Sequence, residues 1–154
     1  MEKKIGVLSD THGLLREEVA RRLQGCDLIL HAGDIDSPAV LARLGQIAPV
    51  VAVRGNVDTA PWARKLPVEE YVDVEDRRIV VVHDLSTLSL DPAAAGFAVV
   101  IYGHSHKPAV EWKDGLLYLN PGSAGPKRFH LPVSMAILSL TDREIAPELM
   151  EIPP

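Results

Sequence analysis

Five short apolar or β-rich segments in this chain end alike, each handing over to side chains that can hold a metal or move a proton. Asp10 and His12 follow the run 5–8 (Ile-Gly-Val-Leu), and Asp34 follows 28–30 (Leu-Ile-Leu). Asn56 follows the run 49–53, His83 follows Val82, and His104 and His106 follow the run that closes at Tyr102. Short continuous apolar runs are consistent with strands buried on both faces. In a parallel sheet the carboxyl ends of such strands share one edge, where open α/β folds place their ligands. Scattered surface polar residues have no reason to choose that position five times, and core packing does not explain three histidines at strand tips.

The segments between the runs support such a sheet. Leu15, Val19, Ala20 and Leu23 fall on one helical stripe, with Gly25 as a stop. Ser37 and Pro38 supply a capping hydroxyl and a first-turn proline for a helix whose apolar stripe is Val40, Leu41 and Leu44. Strand, helix, strand, helix, strand is the order of right-handed parallel crossovers. After Pro61 the chain turns β-rich. Residues 71–74 and 79–82 read as strands about a polar turn at Glu75-Asp76-Arg77, and Asp91-Pro92 starts a short helix ended by Gly96. Residues 109–113 and 116–119 read as a hairpin about Asp114-Gly115, and 133–140 pairs with 144–152 across 141–143. No repeat or linker divides the chain, so residues 1–154 are expected to form a single domain.

Composition narrows the function classes. With 47% hydrophobic and 24% charged residues the chain reads as globular. A net charge of −5 without a basic block argues against a broad electrostatic grip on a nucleic-acid polymer. Cys26 is the only cysteine, so a thiolate zinc site and an internal disulfide are ruled out. No run approaches the ~18 apolar residues of a membrane span, and the apolar stretch that ends at Ser9-Asp10 is too short for a secretory signal. A cytoplasmic protein without membrane partners is the expectation.

Two carboxylates, an amide oxygen and imidazoles form a mixed oxygen and nitrogen set suited to Mn²⁺, Fe²⁺, Zn²⁺, Co²⁺ or Ni²⁺. Seven ligands exceed the needs of one ion, whereas two ions sharing a carboxylate use them all; such pairs lie about 3.5–4 Å apart. Asp10-Thr11-His12-Gly13, Gly33-Asp34, Gly55-Asn56, His83 and Gly103-His104-Ser105-His106 are similar, in order and spacing, to the motifs of the calcineurin-like metallophosphoesterases. The short chain, Gly55-Asn56-Val57-Asp58 and Asn120-Pro121-Gly122-Ser123 resemble the small bacterial and archaeal phosphodiesterase group. The likeness implies an α/β fold: a four-layer α-β-β-α sandwich of two mixed β-sheets flanked by helices, as in metallo-dependent phosphatases. It implies that Asp10, His12 and His106 hold one divalent ion, that Asn56, His83 and His104 hold the other, and that Asp34 bridges them. Two ions per chain are expected, Mn²⁺ foremost, with Ni²⁺, Zn²⁺, Fe²⁺ or Co²⁺ as alternatives. The implied reaction is hydrolysis of a phosphate ester by a metal-bridging hydroxide, with Asp34, Asn56 and His104 at its centre. Arg54, Arg128 and the backbone near Gly13 and Gly122 are the candidate phosphate contacts.

Two departures shape the substrate reading. Many relatives carry a histidine directly after the motif asparagine, where it protonates the leaving group; here Val57 stands there. Esters with good leaving groups suffer less from that loss, which favours a small phosphodiester over a monoester. Asp84 replaces the glycine common after the His83 position, and the segment 85–97 is short for the long helix usual there. A phosphomonoesterase, a phosphoprotein phosphatase and a non-catalytic scaffold, the role of a retromer subunit with this fold, are the alternatives. A Rossmann nucleotide site is disfavoured, because no Gly-x-Gly-x-x-Gly follows the first run. His31 is expected to hydrogen-bond a ligand residue, with direct ligation as the alternative; His130 to sit in a solvated loop, with a catalytic acid or a substrate contact as alternatives; and Asp36 and Asp58 to cap, to lie on the surface or to orient ligands. Trp62, Trp112 and Phe129 are assigned to core or hairpin packing, with a pocket or interface as the alternative, and Cys26 to packing. The sequence leaves open whether the chain forms a homo-oligomer.

Overall fold

In the computed structural model, which describes residues 2–153, ten strands form two five-stranded mixed sheets that face each other; Met1 and Pro154, the ends of the expected domain, lie outside the described residues. The first sheet contains β1 (Lys3–Leu8), β2 (Leu28–His31), β3 (Val50–Ala52), β9 (Val133–Leu140) and β10 (Ile145–Ile152) in the order β10-β9-β1-β2-β3. The second contains β4 (Glu69–Val74), β5 (Arg77–Val82), β6 (Val99–Ile101), β7 (Ala109–Lys113) and β8 (Leu116–Asn120) in the order β4-β5-β6-β8-β7. Strands β1, β2 and β3 run parallel, as do β5, β6 and β8, while the hairpins and β9 pair antiparallel.

The apolar runs are continuous because both faces of the central strands are covered. Ile5 and Val7 of β1 and Ile79 and Val81 of β5 point between the sheets, where they meet Leu30, Val99, Ile101, Leu117 and Leu138. The opposite face of the first sheet offers Leu8 and Ile29 to Val19 of α1 (Glu17–Arg22), to Leu23 just past its end, and to Val40 and Leu44 of α2 (Pro38–Gly45). Each such side chain, fully buried, contributes roughly 1.5–3 kcal/mol. Helix α2 begins as its sequence prescribes: the Ala39 N–H donates to the Ser37 hydroxyl (3.2 Å), with Pro38 in the first turn.

The outer face of the second sheet is covered more thinly than a full helical layer would cover it. Val80, Val100 and Leu116 pack against Leu85, Leu88, Phe97 and Tyr118. A 3-10 turn, Leu85–Thr87, is the only helical element there among the described residues. The helix expected from Asp91 is a run of turns, in which the Asp91 carboxylate accepts from the Ala93 N–H (3.1 Å). The segment is too short to close a regular helix and return to β6. No helix among the described residues is long and apolar enough to cross a membrane.

Candidate metal centre

The loops that leave β1, β2, β3, β5 and β6 meet at one edge of the sandwich, laced by backbone hydrogen bonds. The Asp10 N–H donates to Gly33 O (2.9 Å), His12 N–H to Asp34 O (3.0 Å) and Gly103 N–H to His83 O (3.0 Å). To aim their side chains at a common point, five candidate ligands take left-handed backbone: Asp10 (φ 56°), His12 (46°), Asp34 (58°), His104 (74°) and His106 (64°). Non-glycine residues in that region cost on the order of 1 kcal/mol or more each and concentrate at functional sites. Two glycines permit the approach. A Cβ on Gly55 would collide with Asp34 Oδ1, and one on Gly103 would meet Ser9 Oγ and stand 2.8 Å from Asp10 Oδ2.

The side chains form two overlapping groups, Asp10–His12–His106 and Asp10–Asp34–His83. Asp10 Oδ1 lies 3.3 Å from His106 Nε2, 3.7 Å from His12 Nε2 and 3.9 Å from His83 Nε2. Asp34 Oδ2 lies 3.2 Å from His83 Nε2 and 3.9 Å from His12 Nε2. Ligands ~2.1 Å from a shared ion sit ~3.0–3.4 Å from one another, so these spacings fit a metal centre. Asp10 Oδ1 and His12 Nε2 are buried without a hydrogen-bond partner, a costly state unless a cation satisfies both. Each carboxylate has its other oxygen occupied. Asp10 Oδ2 accepts from Ser9 Oγ (2.6 Å) and the His104 N–H (3.2 Å), and Asp34 Oδ1 accepts from the Val57 N–H (3.1 Å).

The electrostatics point the same way. Burial alone would raise the Asp10 pKa, but contacts with His106, His12 and Ser9 hold it far below the carboxylate range. His12 is raised, chiefly by Asp10 and against its own burial. His83 is raised although burial opposes it, because Asp34 and Asp10 favour its cation. Both shifts register the pull of two carboxylates on positive charge placed between them, a pull that a divalent cation feels more strongly.

His104 joins from the rim: its Nδ1 is 3.3 Å from His83 Nε2 and its Nε2 is 3.9 Å from Asp84 Oδ2, with the side chain 49% exposed. Asn56 is exposed and lines a cleft of about 210 Å³ with Arg54, His83 and Asp84. The structure therefore gathers Asp10, His12, Asp34, His83 and His106 tightly and leaves Asn56 and His104 at the opening. Arg54 lines the cleft and Arg128 is exposed. The expected amide donors are corrected. The Gly122 N–H donates to Asn120 Oδ1 (2.9 Å) and the Gly13 N–H to Ile35 O (2.8 Å), so neither is free for a phosphate oxygen.

The supporting shell is buried. His31 Nδ1 accepts from the Gly33 N–H (3.1 Å), so Nε2 carries the proton and donates to Thr11 Oγ1 (3.0 Å), which in turn donates to Ile35 O (3.2 Å). Full burial pushes the His31 pKa down to about 4, consistent with that neutral ring. His83 Nδ1 is 2.7 Å from the Ala32 carbonyl, which as acceptor turns Nε2 toward the cluster. Asp58, expected to cap, to lie on the surface or to orient ligands, is 2% exposed, which rules out the surface role, and it brackets two loops. Its carboxylate accepts from the N–H groups of Ile35 (3.0 Å), Asp36 (2.9 Å) and Gly55 (2.9 Å). Nothing local in Gly55-Asn56-Val57-Asp58 signals that role, since two of its partners lie more than twenty residues away.

Comparison with known proteins agrees with the geometry. Residues 3–143 match the calcineurin-like phosphoesterase superfamily domain. A probable metallophosphoesterase of Methanothermobacter thermautotrophicus is 32% identical over 95% of this chain and 91% of its own length. The phosphodiesterase YfcE of Escherichia coli K12 is 30% identical over 71% of this chain and 68% of its own. Among solved structures, vacuolar protein sorting 29 of Cryptosporidium parvum superposes with a TM-score of 0.78 at 20% identity, covering 99% of both chains. With the sequence match, the shared sandwich and the convergence of strand tips in hand, this chain belongs to the calcineurin-like phosphoesterase superfamily.

Proposed function

We propose that the protein is a dinuclear-metal phosphodiesterase acting on a small phosphodiester. The observation that carries this reading is the pair of overlapping ligand groups with Asp10 Oδ1 and His12 Nε2 buried and unpaired between them. Asp10, His12 and His106 are the residues for one ion and His83, His104 and Asn56 for the other. Asp34, whose Oδ2 lies 3.2 Å from His83 Nε2 and 3.9 Å from His12 Nε2, would be the residue shared by the two ions. Divalent ions held there would supply charge neutralisation for phosphoryl oxygens and a lowered pKa for water. The chain's own part is to set the carboxylates of Asp10 and Asp34 against the rings of His12, His83 and His106, to aim His83 inward through the Ala32 carbonyl, and to offer Arg54 and Arg128 to the phosphate.

Val57 puts no proton donor directly after Asn56, where many relatives carry a histidine, which supports diester over monoester chemistry. The phosphodiesterase name of the Escherichia coli relative favours the same choice. Mn²⁺ is the proposed metal, with a cytoplasmic location and no membrane or nucleic-acid polymer as partner. Similarity to vacuolar protein sorting 29 favours a second reading, a scaffold on this fold. Metal-stripped protein reloaded with Mn²⁺ decides between them. Bis-(p-nitrophenyl) phosphate should be hydrolysed faster than p-nitrophenyl phosphate, and chelator should stop both. No turnover with Mn²⁺, Ni²⁺, Zn²⁺, Fe²⁺ or Co²⁺ would leave only the scaffold.

A further inference from the structure

Phe129, in the loop between β8 and β9, is not explained by packing. It is 89% exposed, and its backbone is left-handed with φ 52°. Bulky side chains rarely combine solvent exposure with that conformation, and such outliers point to function. The base of the loop is clamped to the candidate metal centre. The Ala124 N–H donates to Ser9 O (3.0 Å), and Arg16 Nε donates to Gly125 O (3.3 Å). Gly125 lies so close to Thr11 that a Cβ would collide with the Thr11 carbonyl. At the far end the Leu131 N–H closes a turn onto Arg128 O (3.0 Å). Residues 126–130 beyond that base are all exposed, with two cations, Lys127 and Arg128, directly before the ring. Two more exposed apolar side chains, Leu14 and Val57, stand two residues from His12 and next to Asn56.

We propose that Phe129 is a stacking platform for a nucleobase on the substrate, with Arg128 meeting the phosphate, so that small nucleoside phosphodiesters are preferred. This rests on the phosphodiesterase reading above. An exposed ring on a clamped loop offers a π-face to any base, and the adjoining guanidinium suits a phosphate oxygen. One ring beside one guanidinium matches one base and one phosphate. A net charge of −5 disfavours a polyanionic polymer or an anionic membrane surface as the occupant.

The test compares two diesters with the same leaving group on Mn²⁺-loaded protein: the p-nitrophenyl ester of thymidine monophosphate, and methyl p-nitrophenyl phosphate. The nucleoside ester should have the higher kcat/KM. Phe129→Ala should reduce the ratio of the two by about tenfold, and Phe129→Trp should restore it. A second readout needs no turnover. The affinity for ethenoadenosine monophosphate, read by fluorescence anisotropy, should fall about tenfold in Phe129→Ala and recover in Phe129→Trp. Equal losses on both esters with unchanged anisotropy would overturn the platform and leave the phosphodiesterase standing. Absent turnover of both esters, with anisotropy still dependent on Phe129, would overturn the phosphodiesterase and leave the platform.

Discussion

His31 makes its two hydrogen bonds only as a neutral ring, one nitrogen accepting from Gly33 and the other donating to Thr11. Its pKa is about 4 in the fold, against about 6.5 in an unfolded chain. Below pH 6.5 the unfolded state binds the proton that the folded state refuses, so this contribution is intact at pH 7 and is lost as pH falls toward 4. The stability advantage of the wild type over His31→Gln should therefore shrink by about 3 kcal/mol between pH 7 and pH 4, measured by denaturant unfolding. His12 and His83, shifted the other way, are common to both proteins and cancel. Asp58→Ala should cost about 3 kcal/mol or more, because it strands the buried N–H groups of Ile35 and Gly55. An unchanged unfolding midpoint would contradict that bracket. His31 was legible in sequence as a partner of the site because it directly follows an apolar run. The bracket that Asp58 makes was not, since its value depends on a loop brought close by folding, and the full exposure of Phe129, for which packing was the first expectation, was not, because composition does not report exposure.

The strands were legible from their apolar runs, and so was the edge where their polar tips gather, because parallel strands place their carboxyl ends together. The tightness of the loops beyond those tips was not. It comes from left-handed backbone at Asp10, His12, Asp34, His104 and His106, and from contacts across loops that no local pattern encodes. Gly55 and Gly103 are where the loops touch Asp34 and Asp10. Gly103→Ala should destabilise the protein by about 1–3 kcal/mol and weaken Mn²⁺ binding, because the added methyl displaces Ser9 and Asp10. Calorimetric unfolding with and without Mn²⁺ separates the two losses. The turns of 92–96 in place of a helix have a plainer cause: Asp91 and Pro92 supply a helix start, but the chain must re-enter the sheet at Val99.

The two sheets are held by an apolar interior, while their shared edge carries two carboxylates and the imidazoles that answer them. Without metal, His12 and His83 are drawn toward their protonated forms by Asp10 and Asp34. Metal binding should therefore release protons and weaken as pH falls. Titration calorimetry with Mn²⁺ near pH 7 in buffers of different ionisation enthalpy should show a heat that varies with buffer; a buffer-independent heat would contradict imidazole ligation. Asp34→Asn, at the carboxylate whose Oδ2 faces both His83 and His12, should lower Mn²⁺ affinity by about 100-fold or more and abolish turnover. The most direct test is an anomalous difference map from a crystal soaked in Mn²⁺. The account predicts two peaks per chain, one among Asp10, His12 and His106 and one beside His83 and His104, with Asp34 between them. A map with no peak at that edge of the sandwich would contradict it.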